Sequence, residues 1–347
     1  REQGMSAEGW TMVESSAPAA TSAGQYPPRA LLALLAAFFF GRRRRDVGAR
    51  AGQLLLVAFV AQWLLQWRAR RKHGTEVGGR LVLVTGASSG VGAAACVELA
   101  RLGAAGIVLV GRDRQRLDKT AAAVVAAGGT VAAIYAIDVS NADSVSMMAQ
   151  DLRTAHHGVP EIVVHCAGAG RWRHLHETTA EEMLGCLDAP AVGGMLLCRE
   201  LMPDLLRLPR ASILLVQSPA AYQPVAGATA YTISRFALRG LAEALGMDLY
   251  GSRVHVCSVV LNEIADSSYF SSDSEGHSRL PTIKALLGRP LTSEAAAHAI
   301  IGALRSGSAS YCAPPLLSLN IWLRQWLPLL YTHLTALSSP ARLVSHP

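Results

Sequence analysis

No two of the six cysteines (Cys96, Cys166, Cys186, Cys198, Cys257 and Cys312) are spaced Cys-x-x-Cys, which excludes the short paired-thiol motifs of zinc and redox sites. Scattered through apolar segments, they read as reduced, buried small side chains. His174 and His176 stand close together beside Arg171 and Arg173, but no further ligand cluster follows, so no metal site is expected. Basic surface is also missing outside one stretch. Residues 41–72 hold Arg42, Arg43, Arg44, Arg45, Arg50, Arg68, Arg70, Arg71 and Lys72 against the single acid Asp46. This stretch carries +8, so a chain with a net charge of +7 is left at −1 elsewhere. A faintly acidic globular part has no electrostatic footprint for nucleic acid. Long apolar runs are lacking too: Ala30–Phe40 is too short to span a bilayer, and Ala51–Trp67 only meets the lower limit of roughly 17–25 residues.

With 347 residues, 51% of them hydrophobic, the chain can build one large α/β core with appendages. Residues 1–28, rich in Ala, Ser, Gly and Pro, read as a flexible tail. The chain opens at Arg1 rather than Met, as a processed form or an incomplete reading frame would, and Glu2, Glu8 and Glu14 are unlike a transit peptide. Residues 29–72 are expected to be a membrane-associated helical segment. Ala51–Trp67 carries Trp63 and Trp67 at one end, as interfacial anchors do, and the arginine cluster suits anionic headgroups. The alternative is a pair of helices buried against protein. At the other end, residues 316–347 form an apolar segment with Trp322, Trp326 and Tyr331. Pro328, Arg324 and Gln325 argue against a full span there and favour a helix lying on a membrane or partner surface.

Between these ends, in residues 73–315, short apolar runs alternate with helical patterns, which predicts a parallel sheet covered by helices on both faces. Strands are expected at Leu81–Thr85, Gly106–Val110, Val131–Ala136, Glu161–His165, Ser212–Gln217, Val254–Val260 and near Ser310–Ala313. The fold class is therefore α/β, a doubly wound, seven-stranded Rossmann-type sheet. Its first turn reads Thr85-Gly86-Ala87-Ser88-Ser89-Gly90-Val91-Gly92. Glycines there let the backbone approach a pyrophosphate, while the N–H groups and dipole of the following helix face its charge.

Far downstream, Ser218 is followed by Tyr231-Thr232-Ile233-Ser234-Arg235. The glycine turn, the later serine and the Tyr-x-x-x-basic helix together resemble the short-chain dehydrogenase/reductases, from about Gly79 to about Pro315. The run Phe236–Leu245 and Cys166-Ala167-Gly168 are similar to the membrane-bound ketosphinganine reductases of that family. The resemblance implies a nicotinamide dinucleotide held by Thr85, Gly86, Ser88, Ser89, Gly90 and Gly92, by Asp138 near the adenine, and by Ala167, Gly168 and Tyr231 at the nicotinamide end. Arg112, where an NAD-preferring member would carry an acid, suits the 2′-phosphate of NADP(H); the bland reading is a solvated arginine. For Asp138 the alternative is a helix cap before Ala142.

The family also supplies the expected chemistry. A tyrosine protonates the substrate oxygen, a lysine one turn later activates it and holds the ribose, a serine orients the carbonyl, and an asparagine completes a water-linked proton relay. A tyrosine, near pKa 10 unaided, needs a neighbouring positive charge to act at neutral pH. Ser218 and Tyr231 match, but Arg235 stands in place of lysine, Pro190 aligns with the asparagine, and Leu261-Asn262-Glu263-Ile264 replaces the usual Pro-Gly turn. His165 stands where asparagine is usual, which predicts a weakened tie between neighbouring strands. These departures, with the apolar ends, point to a membrane-associated member that binds NADP(H) with degraded catalysis. Such a protein would serve as an accessory subunit of a complex, or as a homo-oligomer, at the mitochondrial inner membrane or endoplasmic reticulum. The alternative is an active NADPH-dependent reductase of a lipidic ketone.

Overall fold

The computed structural model describes residues 72–154, 158–168, 170–266 and 290–339, with single positions of a helical stretch between 57 and 68. The chain divides into two units, Arg1–Ala61 and Gln62–Pro347. Of the first, only Val57, Val60 and Ala61 are described, each helical. The expected tail, the Ala30–Phe40 run and most of Ala51–Trp67 lie outside the described residues. Among the described residues, no helix is long and apolar enough to cross a membrane.

The second unit is built on seven parallel strands: β1 (Leu81–Thr85), β2 (Gly106–Gly111), β3 (Val131–Ala136), β4 (Ile162–His165), β5 (Ala211–Gln217), β6 (Val254–Leu261) and β7 (Ser310–Ala313). Their spatial order is β3-β2-β1-β4-β5-β6-β7. Every residue of β1, an interior strand, is buried, which is why it reads in sequence as an unbroken apolar run. On one face pack α1 (Gly90–Arg101), α2 (Arg114–Ala126) and α7 (Ser293–Ser306), through side chains such as Leu99, Leu117, Ile300 and Leu304. The other face takes α3 (Ala142–Thr154), α5 (Gly193–Leu205) and α6 (Thr229–Asp248), through Val145, Leu152, Leu197, Leu201 and Leu238. Each such fully buried aliphatic side chain contributes roughly 1.5–3 kcal/mol. After β7 the chain continues into α8 (Leu316–Trp326) and α9 (Pro328–Ser338), separated at Leu327 where a proline starts the second helix.

The connection from β4 to β5 is not a single regular helix. α4 (Ala180–Leu187) opens with a capping box between Thr179 and Glu182, then widens into a π-helical turn, Asp188–Val192, before α5. Pro190 lies inside that turn. Having no N–H, it cannot continue the α-helical ladder, and the wider turn absorbs the interruption.

The carbonyl of Pro190 meets Nε2 of His165 at 3.0 Å, and His165 Nδ1 lies 2.9 Å from Thr85 Oγ1. Because a carbonyl can only accept, Nε2 carries the proton. Nδ1 is then bare and accepts from the Thr85 hydroxyl, whose oxygen in turn accepts from the Ala167 N–H at 3.2 Å. One ring thus links β1, β4 and the π turn. The sequence reading, that losing asparagine at 165 weakens the strand tie, is corrected: the imidazole spans the gap with both nitrogens.

Burial, reinforced by the Arg235 charge and opposed by the Pro190 hydrogen bond, lowers His165 to about 4. The folded protein therefore keeps this ring neutral where the unfolded chain, titrating near 6.5, takes up a proton. Stability from this group is intact above about pH 6.5 and is lost as pH falls toward 4, a span worth roughly 3 kcal/mol. His255, stacked on His73 with ring centroids 4.8 Å apart, is also lowered to about 4 by burial and adds to the same acid limb. Thermal midpoints measured between neutral pH and about pH 4 should therefore fall less steeply in His165→Asn than in the wild type. An unchanged slope would contradict the neutral-ring assignment.

Candidate active site

The sheet's strand order reverses between β1 and β4, and at the carboxyl ends of these strands lies a cavity of about 540 Å³. This is where doubly wound sheets take ligands. Its first wall is the turn after β1. Gly86 has φ +67°, and a Cβ there would stand 2.9 Å from the Ala167 nitrogen. A Cβ on Gly92 would stand 2.2 Å from the Gly86 carbonyl oxygen. Only glycine lets β1, the turn and α1 pack this closely. Ser88, Ser89 and Gly90 complete the wall, so the N-terminus of α1 opens onto the cavity. Thr85 does not line it: its side chain is fully buried and engaged by His165 and Ala167.

Beyond β2, Arg112 and Asp138 line the same cavity. Arg112 is exposed and forms no salt bridge among the described residues, whereas Arg114 pairs with Asp118 at 2.9 Å and Arg116 with Asp113 at 3.1 Å. Arg116 also borders the cavity. Asp138 accepts from the Ser140 N–H at 2.9 Å and its hydroxyl at 2.7 Å. Burial alone would raise its carboxyl, but these bonds and the Arg112 charge outweigh it and hold the group below the usual carboxylate range. The cap of α3 comes instead from Asn141, whose side chain accepts from the Ser144 N–H.

The opposite end gathers the residues of the later motif. Ser218 follows β5 and caps a single 3₁₀ turn, its Oγ accepting from the Ala220 N–H at 3.3 Å. Tyr231 and Arg235 sit one turn apart on α6, both 6% exposed and both lining the cavity. The Arg235 guanidinium lies 4.7 Å from the Tyr231 ring centroid. A Cβ on Gly168 would meet its Nη2 at 2.8 Å, so the missing side chain of Gly168 is what admits the larger cation. Ala167 and Gly168 form the adjoining wall. After β6, the segment that replaces Pro-Gly is held by a short parallel bridge, Ile264 to Leu291. Hydrogen bonds flank it, from Leu291 N–H to Glu263 at 2.7 Å and from Ala265 N–H to Leu291 at 2.8 Å.

Trp172, Tyr331 and Thr335 also line the cavity and were not singled out from sequence as site residues. Trp172 stacks on Tyr231 with ring centroids 5.6 Å apart. It lies in an irregular loop, where no periodicity could flag it. Tyr331 and Thr335 are four apart on α9, a spacing that puts both on one helix face, but nothing local says which face turns inward. Among the described residues no cluster of metal-ligating side chains forms.

The residues fit a dinucleotide. A glycine cradle that any Cβ would fill meets a helix N-terminus, with an exposed guanidinium and a carboxylate also lining the cavity. Comparison with known proteins agrees with this geometry. The probable oxidoreductase EphD of Mycobacterium bovis is 36% identical over 197 residues, 56% of this chain and 33% of that protein; the chain thus spans about a third of this relative's length. The 3-dehydrosphinganine reductase of Danio rerio is 29% identical over 208 residues, 58% of this chain and 61% of that protein. Among solved structures, a metagenomic short-chain oxidoreductase in complex with NADP superposes with a TM-score of 0.55 at 27% identity, covering 68% of this chain and 94% of the other. A short chain dehydrogenase/reductase from Burkholderia phymatum in complex with NAD shares the fold, with a TM-score of 0.64 at 23% identity over 78% of this chain and all of the other. The sequence pattern of the short chain dehydrogenases matches residues 80–275, and the chain belongs to that family.

Proposed function

We propose that this protein is an NADP(H)-dependent reductase of an apolar, lipid-like ketone, working at a membrane surface of the mitochondrion or endoplasmic reticulum. The observation that carries the reading is the convergence of Ser218, Tyr231 and Arg235 on the cavity whose far wall is the glycine turn. Gly86, Ser88, Ser89, Gly90 and Gly92 would hold the pyrophosphate, Asp138 the adenine side, and Ala167 and Gly168 the nicotinamide ribose. Arg112, which forms no salt bridge among the described residues, would grip a 2′-phosphate through paired charge-assisted hydrogen bonds. When bound, the nicotinamide supplies a hydride.

The chain's own residues then handle the oxygen and its proton. Ser218 Oγ, already accepting from Ala220, has its hydroxyl proton free to orient a carbonyl. Tyr231 donates the proton that turns the carbonyl oxygen into a hydroxyl. Arg235 sets a fixed positive charge beside the phenol where negative charge develops, and the water-poor walls around Tyr231 strengthen that effect. The apolar substrate class is supported by the likeness to a 3-dehydrosphinganine reductase. A membrane setting is supported by the basic stretch beside two apolar runs and by the exposed leucines and tryptophans of α8 and α9.

One observation favours a second reading, a nucleotide-binding accessory subunit with little or no turnover. The backbone carbonyl at Pro190, where the family relay residue aligns, is already engaged by His165. Co-purification of stoichiometric partner proteins with a chain that oxidises no NADPH would select this reading over the reductase.

Two measurements test the proposal. A ligand at a hundredfold excess over its dissociation constant stabilises a fold by about 2.7 kcal/mol, so NADPH should raise the melting temperature more than NADH does, and Arg112→Ala should shrink the difference. Equal responses in the wild type would remove Arg112 from the cofactor site. With 3-ketosphinganine as substrate, Tyr231→Phe should lower kcat for NADPH oxidation at least about a hundredfold, the scale of a lost general acid, while keeping the NADPH-induced thermal shift. Full turnover in Tyr231→Phe would exclude it as the acid.

A further inference from the structure

We propose that the C-terminal helical pair is a substrate-recognition element, whose α9 face closes the catalytic cavity and selects ketones bearing an extended apolar chain. The inference rests on the reductase reading and adds to it the part of the chain that reads the substrate's tail.

Two anchors fix the pair to the domain. Leu317, in the first turn of α8, is fully buried, and Asn320 Oδ1 accepts from Gln223 Nε2 at 2.8 Å. Gln223 itself lines the cavity, in the loop between Ser218 and Tyr231, so the loop that carries the serine is clasped directly to α8. The same clasp positions α9, whose Tyr331 and Thr335 form part of the cavity wall. Burial raises the Tyr331 hydroxyl from its ordinary value, against hydrogen bonding from Thr335 and Asn320 and the charge of Arg324. Tyr331 is half-buried and forms part of the cavity wall.

The chemistry of the wall points to the ligand. The cavity lining includes the apolar side chains of Trp172, Pro224, Val225 and Ile264 together with the polar Gln223, Asn262 and Glu263. Leu330 and Leu334, on the helix surface beside Tyr331, are 54% and 44% exposed, and Leu329 is 86% exposed. A chain leaving past Tyr331 therefore meets these apolar side chains, with the Arg324 guanidinium 6.0 Å from the Tyr331 ring centroid. An alkyl tail is the group that gains from such a path, since each buried methylene contributes to discrimination while a polar group loses its hydration.

The test uses the full-length protein with Thr335→Trp, which fills the wall, and Tyr331→Ala, which removes its ring. The ratio of KM for methyl nonyl ketone to KM for butanone, measured with NADPH, should rise about tenfold in each, the scale of losing a well-packed contact in an apolar pocket. Affinity for NADPH, measured alongside, should hold and shows that the fold is intact. Calorimetric binding of both ketones to the NADP-loaded protein answers without turnover. Methyl nonyl ketone should bind tighter than butanone in the wild type, and Thr335→Trp should abolish the difference. A protein that binds with this chain-length preference but reduces neither ketone sinks the reductase reading and sustains the role of α9. A ratio unmoved in both variants, or no chain-length preference in wild-type binding, overturns the inference.

Discussion

The arrangement of this molecule depends on a neutral imidazole at the point where the sheet reverses. His165 takes a hydrogen bond from Thr85 on the interior strand β1 and gives one to the carbonyl of Pro190 in the π turn. Thr85 in turn holds the Ala167 N–H at the start of the cavity wall. Position 167 faces the glycine turn so closely that Gly86 could not carry a side chain. A protonated ring would donate from both nitrogens and leave the Thr85 hydroxyl without its acceptor, so the geometry of the cavity floor and the protonation state of His165 are one condition. Desolvation enforces it, since among the described residues His165 forms no salt bridge that would offset a buried charge.

At the reacting end, the same logic of compensated change applies. Arg235 is bulkier than lysine and planar, and the space for it is found against Gly168, which has no side chain to obstruct it. The Tyr231 ring then has a cation on one contact and the Trp172 ring on another. Departures that look in sequence like independent losses, at 165, 190 and 235, are in space neighbours: His165 bonds Pro190 and lies within the field of Arg235. Measured against the pattern expected from sequence, the cavity is rebuilt around these different side chains.

Much of this was legible in the sequence, for identifiable reasons. β1, an interior strand buried throughout, stands out as an unbroken apolar run; the edge strands β3 and β7 also have the bounds expected from sequence, and the remaining strands differ by a residue at an end. The glycine turn and the Ser218–Tyr231 pair are local or fixed-spacing patterns, and the structure brings both to one cavity. What could not be read depends on contacts between distant segments. The bonds of His165 reach 80 residues back to Thr85 and 25 forward to Pro190, so a missing asparagine looked like a missing tie. Pro190 interrupts the helical ladder, and the π turn that accommodates it also turns its own carbonyl to His165, a contact no local pattern shows. Tyr331 and Thr335 lay in a helix legible only as apolar, and which face turns to the cavity depends on segments distant in sequence.

Whether the rebuilt site performs the family's reaction comes down to the transfer of one hydride. Single-turnover incubation of the protein with NADPH deuterated at the transferring carbon and excess 3-ketosphinganine, followed by mass spectrometry of the product, tests this most directly. The account predicts one deuterium on the new carbinol carbon. A protein that binds the labelled cofactor and returns the ketone unreduced would contradict it.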